Sequence, residues 1–398
     1  LLTISNNNFT TTGSEPWGMG LWGLKGGSIA QNNTMNTAST TGESVGLHLS
    51  YATGVGPSVN HVVVDNNIIT GFKHGLPLYN LDQPGGTPPT HVISNNTIQN
   101  PASVSGSDGL FFSSSDPGWI GDGDNGLVKA SLSGNTVTGY ETGWNIRKGS
   151  ATVTLTVGSG NTISNATTGI FAFGPGLTFV GNTLDNLAFS TVSGDYIKLS
   201  NTAFNGVTLD ATASTFESKL GSAMTPAELY VAEDKIDHAP DSTGLGFVRV
   251  KAANVFVTTN SFVAPGTTAG SIQRGIGVAS TSDAVRVNAG TYTENVLVNK
   301  SVTLAGTGLP TVTAPASASN STIITVNADN VTVDGFDVQV NKPYATGGIV
   351  GMDGGAFNHV FDNVVVSNNS VTASGSGGTF PHPSSGGTAA AGIVFLGD

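Results

Sequence analysis

At 398 residues the chain has room for two or three domains, yet only 10% of it is charged, against about 25% in ordinary soluble domains. The formal net charge of −12 excludes bare nucleic acid and an anionic membrane surface as natural partners, and admits a polyanionic sugar only with a bridging cation. There is no cysteine, which excludes disulfides and thiol chemistry, and no apolar run of about 18 residues, so no membrane span is expected.

Glycine is abundant, at 55 residues, and Thr, Ser and Asn dominate the polar positions. Apolar residues recur regularly, so the composition is not one of disorder. A surface of this kind is common in stacked-strand proteins outside the cell.

From the first residues onward one pattern returns. It reads LTISNNNF at 2–9, IAQNNTM at 29–35, VVVDNNIITG at 62–71, HVISNNTI at 91–98, ASLSGNTVTG at 130–139, LTVGSGNTI at 155–163, LTFVGNTL at 177–184 and VVVSNNSVT at 364–372. Each copy is a short strand, a sharp corner and a second short strand. The Asn just before the second strand falls at Asn7, Asn33, Asn67, Asn96, Asn135, Asn161 and Asn182, with Asn369 in the last copy. The first seven are separated by 26, 34, 29, 39, 26 and 21 residues, the irregular period of a repeat fold with loops of varying length. Asn tolerates the left-handed backbone of a tight corner, and stacked amides can bond to one another as a ladder. Glycine followed by alternating apolar residues marks a third strand: GLHL at 46, GLPL at 75, GLFF at 109, GWNI at 143, GIFAF at 169, GGIVGM at 347 and GIVFLG at 392. No single turn of three short strands buries its apolar face, so the turns must stack.

The stretch 1–189 reads as a first rod of seven or eight coils, roughly 35–40 Å long at a strand spacing of about 4.8 Å. Its longest insertions, at 50–60, 80–90 and 113–125, are rich in Gly and Pro and are expected to project from one side. The stretch 190–269 breaks the pattern. TPAE at 225–228 is a capping box with Pro at the first helical position, predicting a helix to about 238 with Leu229, Ala232 and Ile236 on its apolar stripe. GFVRVKAANVFVTTNSFV at 246–263 reads as a hairpin-like pair of strands. From 270 the pattern restarts: SIQRGIGVAS as a short helix with Ile272, Ile276 and Ala279 on one side, then AGTYTENV, VTLAGTG and further coils to 398. The chain opens inside one repeat and stops inside another, as expected of a segment of a longer chain that carries further repeats.

The strand–corner-Asn–strand motif followed by GΦxΦ, where Φ is apolar, resembles the repeat of the pectin-lyase-like superfamily, over 1–189 and again over about 272–398. The resemblance implies an all-β fold: a right-handed parallel β-helix (solenoid) in two tandem rods joined by a short α/β junction, the second rod truncated. The junction resembles those between β-helix modules of very large bacterial surface proteins, implying an extracellular or cell-surface location in a bacterium. The superfamily hosts lyases, hydrolases, epimerases, adhesins and tailspikes, so fold alone does not choose among them.

Candidate sites follow. Asp116, Asp122 and Asp124 in SSSDPGWIGDGDNG place carboxylates in a Gly-rich loop that can hold calcium, or can serve as a solvated turn. Trp17, Trp22, Trp119 and Trp144 offer aromatic faces to sugar rings, or cover loop bases against the rod. Arg147, at a strand end beside Lys148, has the basic character a lyase needs near a uronate, without a matching acidic cluster in the neighbouring repeats. Among catalytic sets of the superfamily, that of the polygalacturonases is not found, KHG at 73–75 being a partial echo, and the Asp-Pro-His core of the alginate epimerases is missing. Two readings remain. One is a non-catalytic structural or adhesive repeat segment of a large bacterial surface or secreted protein, binding polysaccharide or a cell-surface glycan. The other is a polysaccharide lyase, hydrolase or epimerase.

Overall fold

A computed structural model describes residues 1–24, 26–38, 42–50, 61–79, 90–102, 104–114, 126–149, 151–184, 186–316, 321–340, 345–351, 361–373 and 391–395. The chain divides into two compact units. One comprises Leu1–Met224, Lys235–His238 and Gly244–Val250, the other Thr225–Asp234, Ala239–Thr243 and Lys251–Asp398.

The first unit is built on three long parallel sheets of seven, nine and eight strands. The chain visits them in rotation. Thr3–Ser5, Asn8–Thr11 and Trp17–Trp22 open the three sheets, and Ile29–Gln31, Thr34–Thr37 and Val45–Ser50 pair in parallel beside them. Val63–Asp65, Ile68–Thr70 and His74–Tyr79 then add the next layer. Pairing every third strand is the order of a parallel β-helix. Inward residues of successive layers lie in register: Ile69, Ile98, Val137 and Ile163 in the second sheet, and Leu76, Leu110, Trp144 and Ile170 in the third, all fully buried. The second and third sheets continue beyond residue 189 through Thr215–Phe216, Ile197–Ser200 and Ile236–Asp237.

The corner between the first and second sheets divides its work between two neighbours. The left-handed residue is the first of the Asn pair: Asn6 (φ 58°), Asn32 (56°), Asn66 (51°) and Asn95 (54°), replaced by Gly134 and Gly160 in later copies. The second Asn turns its side chain inward, so the expectation that one Asn does both jobs is corrected. The backbone N–H and the Nδ2 of Asn67 both donate to Oδ1 of Asn96, each at 3.0 Å, and Asn96 donates likewise to Asn135, at 3.2 and 3.0 Å. The same pair of bonds links Asn7 to Asn33, Asn33 to Asn67 and Asn135 to Asn161. The remaining Nδ2 hydrogen of Asn96 reaches Val64 O in the preceding layer, at 3.0 Å. Asn33, Asn67, Asn96, Asn135 and Asn161 are fully buried and hydrogen-bonded, which removes the penalty of burying an amide. Asn182 departs from the expectation. It lies exposed with φ 52° in the 3₁₀ turn Val180–Asn182 and occupies the left-handed position, not the inward one.

The glycine of each third strand has an equally direct cause. A Cβ on Gly109 would lie 2.2 Å from Val137 Cγ1 and 2.8 Å from the Gly143 carbonyl oxygen. Gly46, Gly75 and Gly143 meet an isoleucine of the second sheet and the next glycine's carbonyl in the same way. The second and third sheets thus approach too closely for any side chain there.

In the second unit, sheets of five, four and four strands repeat the rotation. The first of them starts earlier than the restart read at 270, with Asn254–Val257 parallel to Ala284–Val287. The hairpin-like reading of 246–263 is therefore corrected: Phe247–Arg249 pairs in parallel with Thr208–Asp210 in the first unit instead. Helix α1, Pro226–Glu233, has the Thr225–Glu228 capping box but stops short of 238, and Ile236 is in a strand. Helix α2, Ile272–Val278, is N-capped by Ser271. Glu294 of the TENV stretch adds its carboxylate to the same helix end, accepting from Ser271 Oγ at 2.8 Å and from the N–H groups of Ile272 and Gln273 at 2.5 and 3.2 Å.

Asn96→Leu leaves the N–H groups of Asn67 without their acceptor, and each orphaned buried group costs about 1–3 kcal/mol. Denaturant unfolding is expected to show a loss of at least about 2 kcal/mol on that basis. Gly109→Ala is expected to lower the thermal midpoint through overpacking of about 1–3 kcal/mol, with Val137→Ala in the same chain giving part of it back.

Candidate functional site

The third sheet of the first unit carries the site residues on its outer face. Its register aligns Ser50, Tyr79, Ser113, Arg147 and Phe173 in one row, and His48, Asn145 and Phe171 belong to the neighbouring row. In the chain, the insertions expected at 50–60, 80–90 and 113–125 follow directly on the strands Val45–Ser50, His74–Tyr79 and Asp108–Ser113. All three therefore depart from the same end of three adjacent strands of one sheet. Asp116, Trp119, Asp122 and Asp124 lie outside the described residues. Among the described residues no three His, Asp or Glu side chains gather as a metal site.

One end of the face is aromatic. Trp17 and Trp22 stack at 5.5 Å with 24° between their planes, and His48 meets both edge-on, at 5.5 and 4.7 Å. His48 in turn stacks on Tyr79 at 4.9 Å. Trp22 stays 47% exposed, so the group ends in an indole that faces solvent. Gly20 makes this possible, because a Cβ there would lie 2.1 Å from the Trp22 ring. Trp144 departs from the sugar-facing expectation. It belongs to the inward row with Leu110 and Ile170 and is fully buried.

The middle of the face is a chain of charged and polar groups drawn from four successive layers. Lys73 Nζ donates to Glu43 Oε1 at 2.6 Å. His74 Nε2 lies 2.7 Å from Glu43 Oε2, and its Nδ1 lies 3.3 Å from Asp108 Oδ2. Asn145 Nδ2 donates to Asp108 Oδ1 at 2.7 Å, and Arg147 Nε donates to Asn145 Oδ1 at 2.9 Å. The Arg147 guanidinium stands over the Phe171 ring, 5.7 Å from its centre. His74, Asp108 and Asn145 are buried, while Arg147 is exposed. Burial raises the Glu43 carboxyl, but hydrogen bonds from Lys73 and His74 outweigh it and hold the group below its ordinary value.

Sequence reasoning reached Trp17, Trp22 and Arg147, and met Lys73 and His74 only as a partial catalytic echo, but missed Glu43, Asp108 and Asn145. A signal was present: His74 and Asp108 immediately precede Gly75 and Gly109, so aligning the third strands on that glycine sets the imidazole beside the carboxylate. KHG at 73–75 is part of the same cluster. Compared with protein-family models, curated proteins and solved structures, the chain shows no match.

The Glu43 carboxyl is depressed in the folded state, so its ion pairs add stability above its ordinary value of 4.5 and lose it as pH falls through the folded value. The melting-temperature gap between the wild type and Glu43→Gln is expected to close on acidification below that value. A gap constant with pH would exclude a role for this charge.

Proposed function

We propose that the chain is a non-catalytic saccharide-binding segment of a bacterial surface or secreted protein, built as two tandem right-handed parallel β-helices of pectin-lyase-like type. The observation that carries this reading is the stacked Trp17–Trp22 pair, with Trp22 presented to solvent on the face from which all three long insertions depart. Flat aromatic surfaces ringed by neutral polar groups suit sugar rings. The low charge and the Thr, Ser and Asn surface support a location outside the cell.

A second reading has its own observation. Glu43 and Asp108, two layers apart, flank His74 on that same face, and paired carboxylates are the tools of polysaccharide hydrolysis. Their bonding favours the first reading: Glu43 accepts from Lys73 as well as facing His74, and Asp108 accepts from Asn145 as well as facing His74. Both carboxylates are thereby engaged in holding the face together.

Isothermal titration of the full chain with neutral and uronate-containing oligosaccharides tests the proposal, with and without a calcium chelator. Trp22→Ala is expected to weaken binding about tenfold, equivalent to ~1.4 kcal/mol, with the fold intact. Binding lost in chelator, and lost likewise in Asp122→Asn, would assign calcium to the Asp116, Asp122 and Asp124 loop. Absence of any saccharide binding would sink the saccharide-binding reading, and release of new reducing or unsaturated ends during incubation would sink the non-catalytic one.

A further inference from the structure

A shorter insertion lies at a different corner of the first unit, where the chain passes from the second sheet to the third. The register makes Gly71, Asn100, Gly139 and Asn165 equivalent at the start of this passage, and His74, Asp108, Thr142 and Thr168 equivalent at its end. Three of these passages span three positions, but Asn100 to Asp108 spans eight. In the short passages the next residue turns inward: Phe72, Tyr140 and Ala166 are buried. Pro101, at the same position, is exposed. The turn is fixed from inside by the buried Asn100, whose Nδ2 donates to Phe72 O at 3.2 Å and whose Oδ1 accepts from Ala102 N at 3.1 Å. An added loop on a rigid frame is a common place for a binding site.

Beside this turn is a recess of about 330 Å³, lined by Gln99, Asn100, Pro101, Thr138, Gly139 and Asn165. Gly139 lines it without a side chain, and must: at φ 79° a Cβ there would lie 2.3 Å from Asn100 O. Two side-chain amides are held in place at the recess. Gln99 Nε2 donates to Thr70 Oγ1 at 3.0 Å, and Asn165 Nδ2 donates to Thr138 Oγ1 at 3.1 Å. Among the described residues Gln99 Oε1 and Asn165 Oδ1 accept no hydrogen bond, and each amide nitrogen keeps a second hydrogen.

The lining selects the chemistry of a ligand. None of the six residues is charged, so nothing there draws an anion into a chain of net charge −12, and no carboxylate draws a cation. An amide that offers one acceptor and one donor matches adjacent sugar hydroxyls, each of which donates and accepts. The Pro101 ring supplies an apolar wall for the C–H groups of a sugar ring. The volume is at the lower end of the ~300–1,000 Å³ that ligand pockets span, which suits a short saccharide. We infer that this recess is a second saccharide site, selective for neutral sugars. It lies on the second sheet, shares no residue with the Trp17–Trp22 face, and does not depend on the reading given to that face.

Isothermal titration of the full chain carrying Trp22→Ala, which weakens the aromatic face, is the test. The probes are neutral gluco-, manno- and galacto-oligosaccharides and, as the charged control, oligogalacturonate. At least one neutral series is expected to bind this chain, and oligogalacturonate is not. Adding Gln99→Ala, or Asn165→Gly, which keeps the left-handed backbone at φ 51°, is expected to weaken the remaining binding about tenfold in each case. Hydrogen exchange in the unsubstituted chain gives a readout free of folding effects: the neutral sugar is expected to slow the amides of Ala102 and Gly139. A Trp22→Ala chain that binds no neutral sugar, equal binding of oligogalacturonate, full binding retained in both recess variants, or unchanged exchange at Ala102 and Gly139 would overturn the inference. Loss of all binding in Trp22→Ala would leave the aromatic-face reading standing while this one fails. Neutral-sugar binding that ignores Trp22→Ala but falls with Gln99→Ala would do the reverse.

Discussion

A buried carboxamide has two donors and one acceptor to satisfy; in this chain the acceptor and one donor are satisfied by its copies in the adjoining layers, and the other donor by a backbone carbonyl of the preceding layer. That requirement ties the layers to one register, because a slip by one residue would turn every inward Asn to the outside and leave its neighbours without partners. The glycine column adds a steric limit at the opposite corner, where branched side chains of the second sheet press on the backbone of the third. Polar satisfaction at one corner and close approach at the other define the cross-section between them. The apolar strands fill it with Val, Ile and Leu in layer-by-layer register.

The same stacking explains how distant residues come to share a face. Glu43, Lys73, His74, Asp108, Asn145 and Arg147 span more than a hundred positions of sequence, yet occupy neighbouring layers of one sheet. A polar row in such a fold is assembled one residue per layer. Each charge finds its partner in the next strand over, where separation is set by the strand spacing and not by the chain. Lys198 follows the same rule with Asp237 on the next strand, at 2.9 Å, and adds Asp195 of its own layer at 3.2 Å.

Much of the architecture was legible because it rests on residues that must repeat. Asn7 to Asn161 and Gly46 to Gly169 recur for reasons of bonding and space, and a reader of the sequence sees the recurrence directly. The division of labour within each Asn pair was not legible, since side-chain identity is the same at both positions and only backbone φ separates them. Asn182 fits the motif by spacing, but Gly181 at φ 75° beside it takes the backbone out of the pattern. Trp144 was misplaced because a bulky residue in a half-buried strand suits either face, and register against Leu110 decides it. The charged cluster was hidden by treating the intervals between repeats as loops, when alignment on the third-strand glycine would have stacked its members.

The unequal spacing of the ladder residues acquires a further meaning once the exits are located. The corner that carries the ladder is a fixed tight turn, whereas the lengths that vary follow Ser50, Tyr79 and Ser113, at the same end of three adjacent strands. Foreign segments spliced at these three places would touch no ladder bond and no glycine contact, and doubling a loop costs only about 0.6 kcal/mol in closure entropy. The three exits lie on adjacent strands, one strand spacing apart, so chain length can change there while the stack beneath keeps its register.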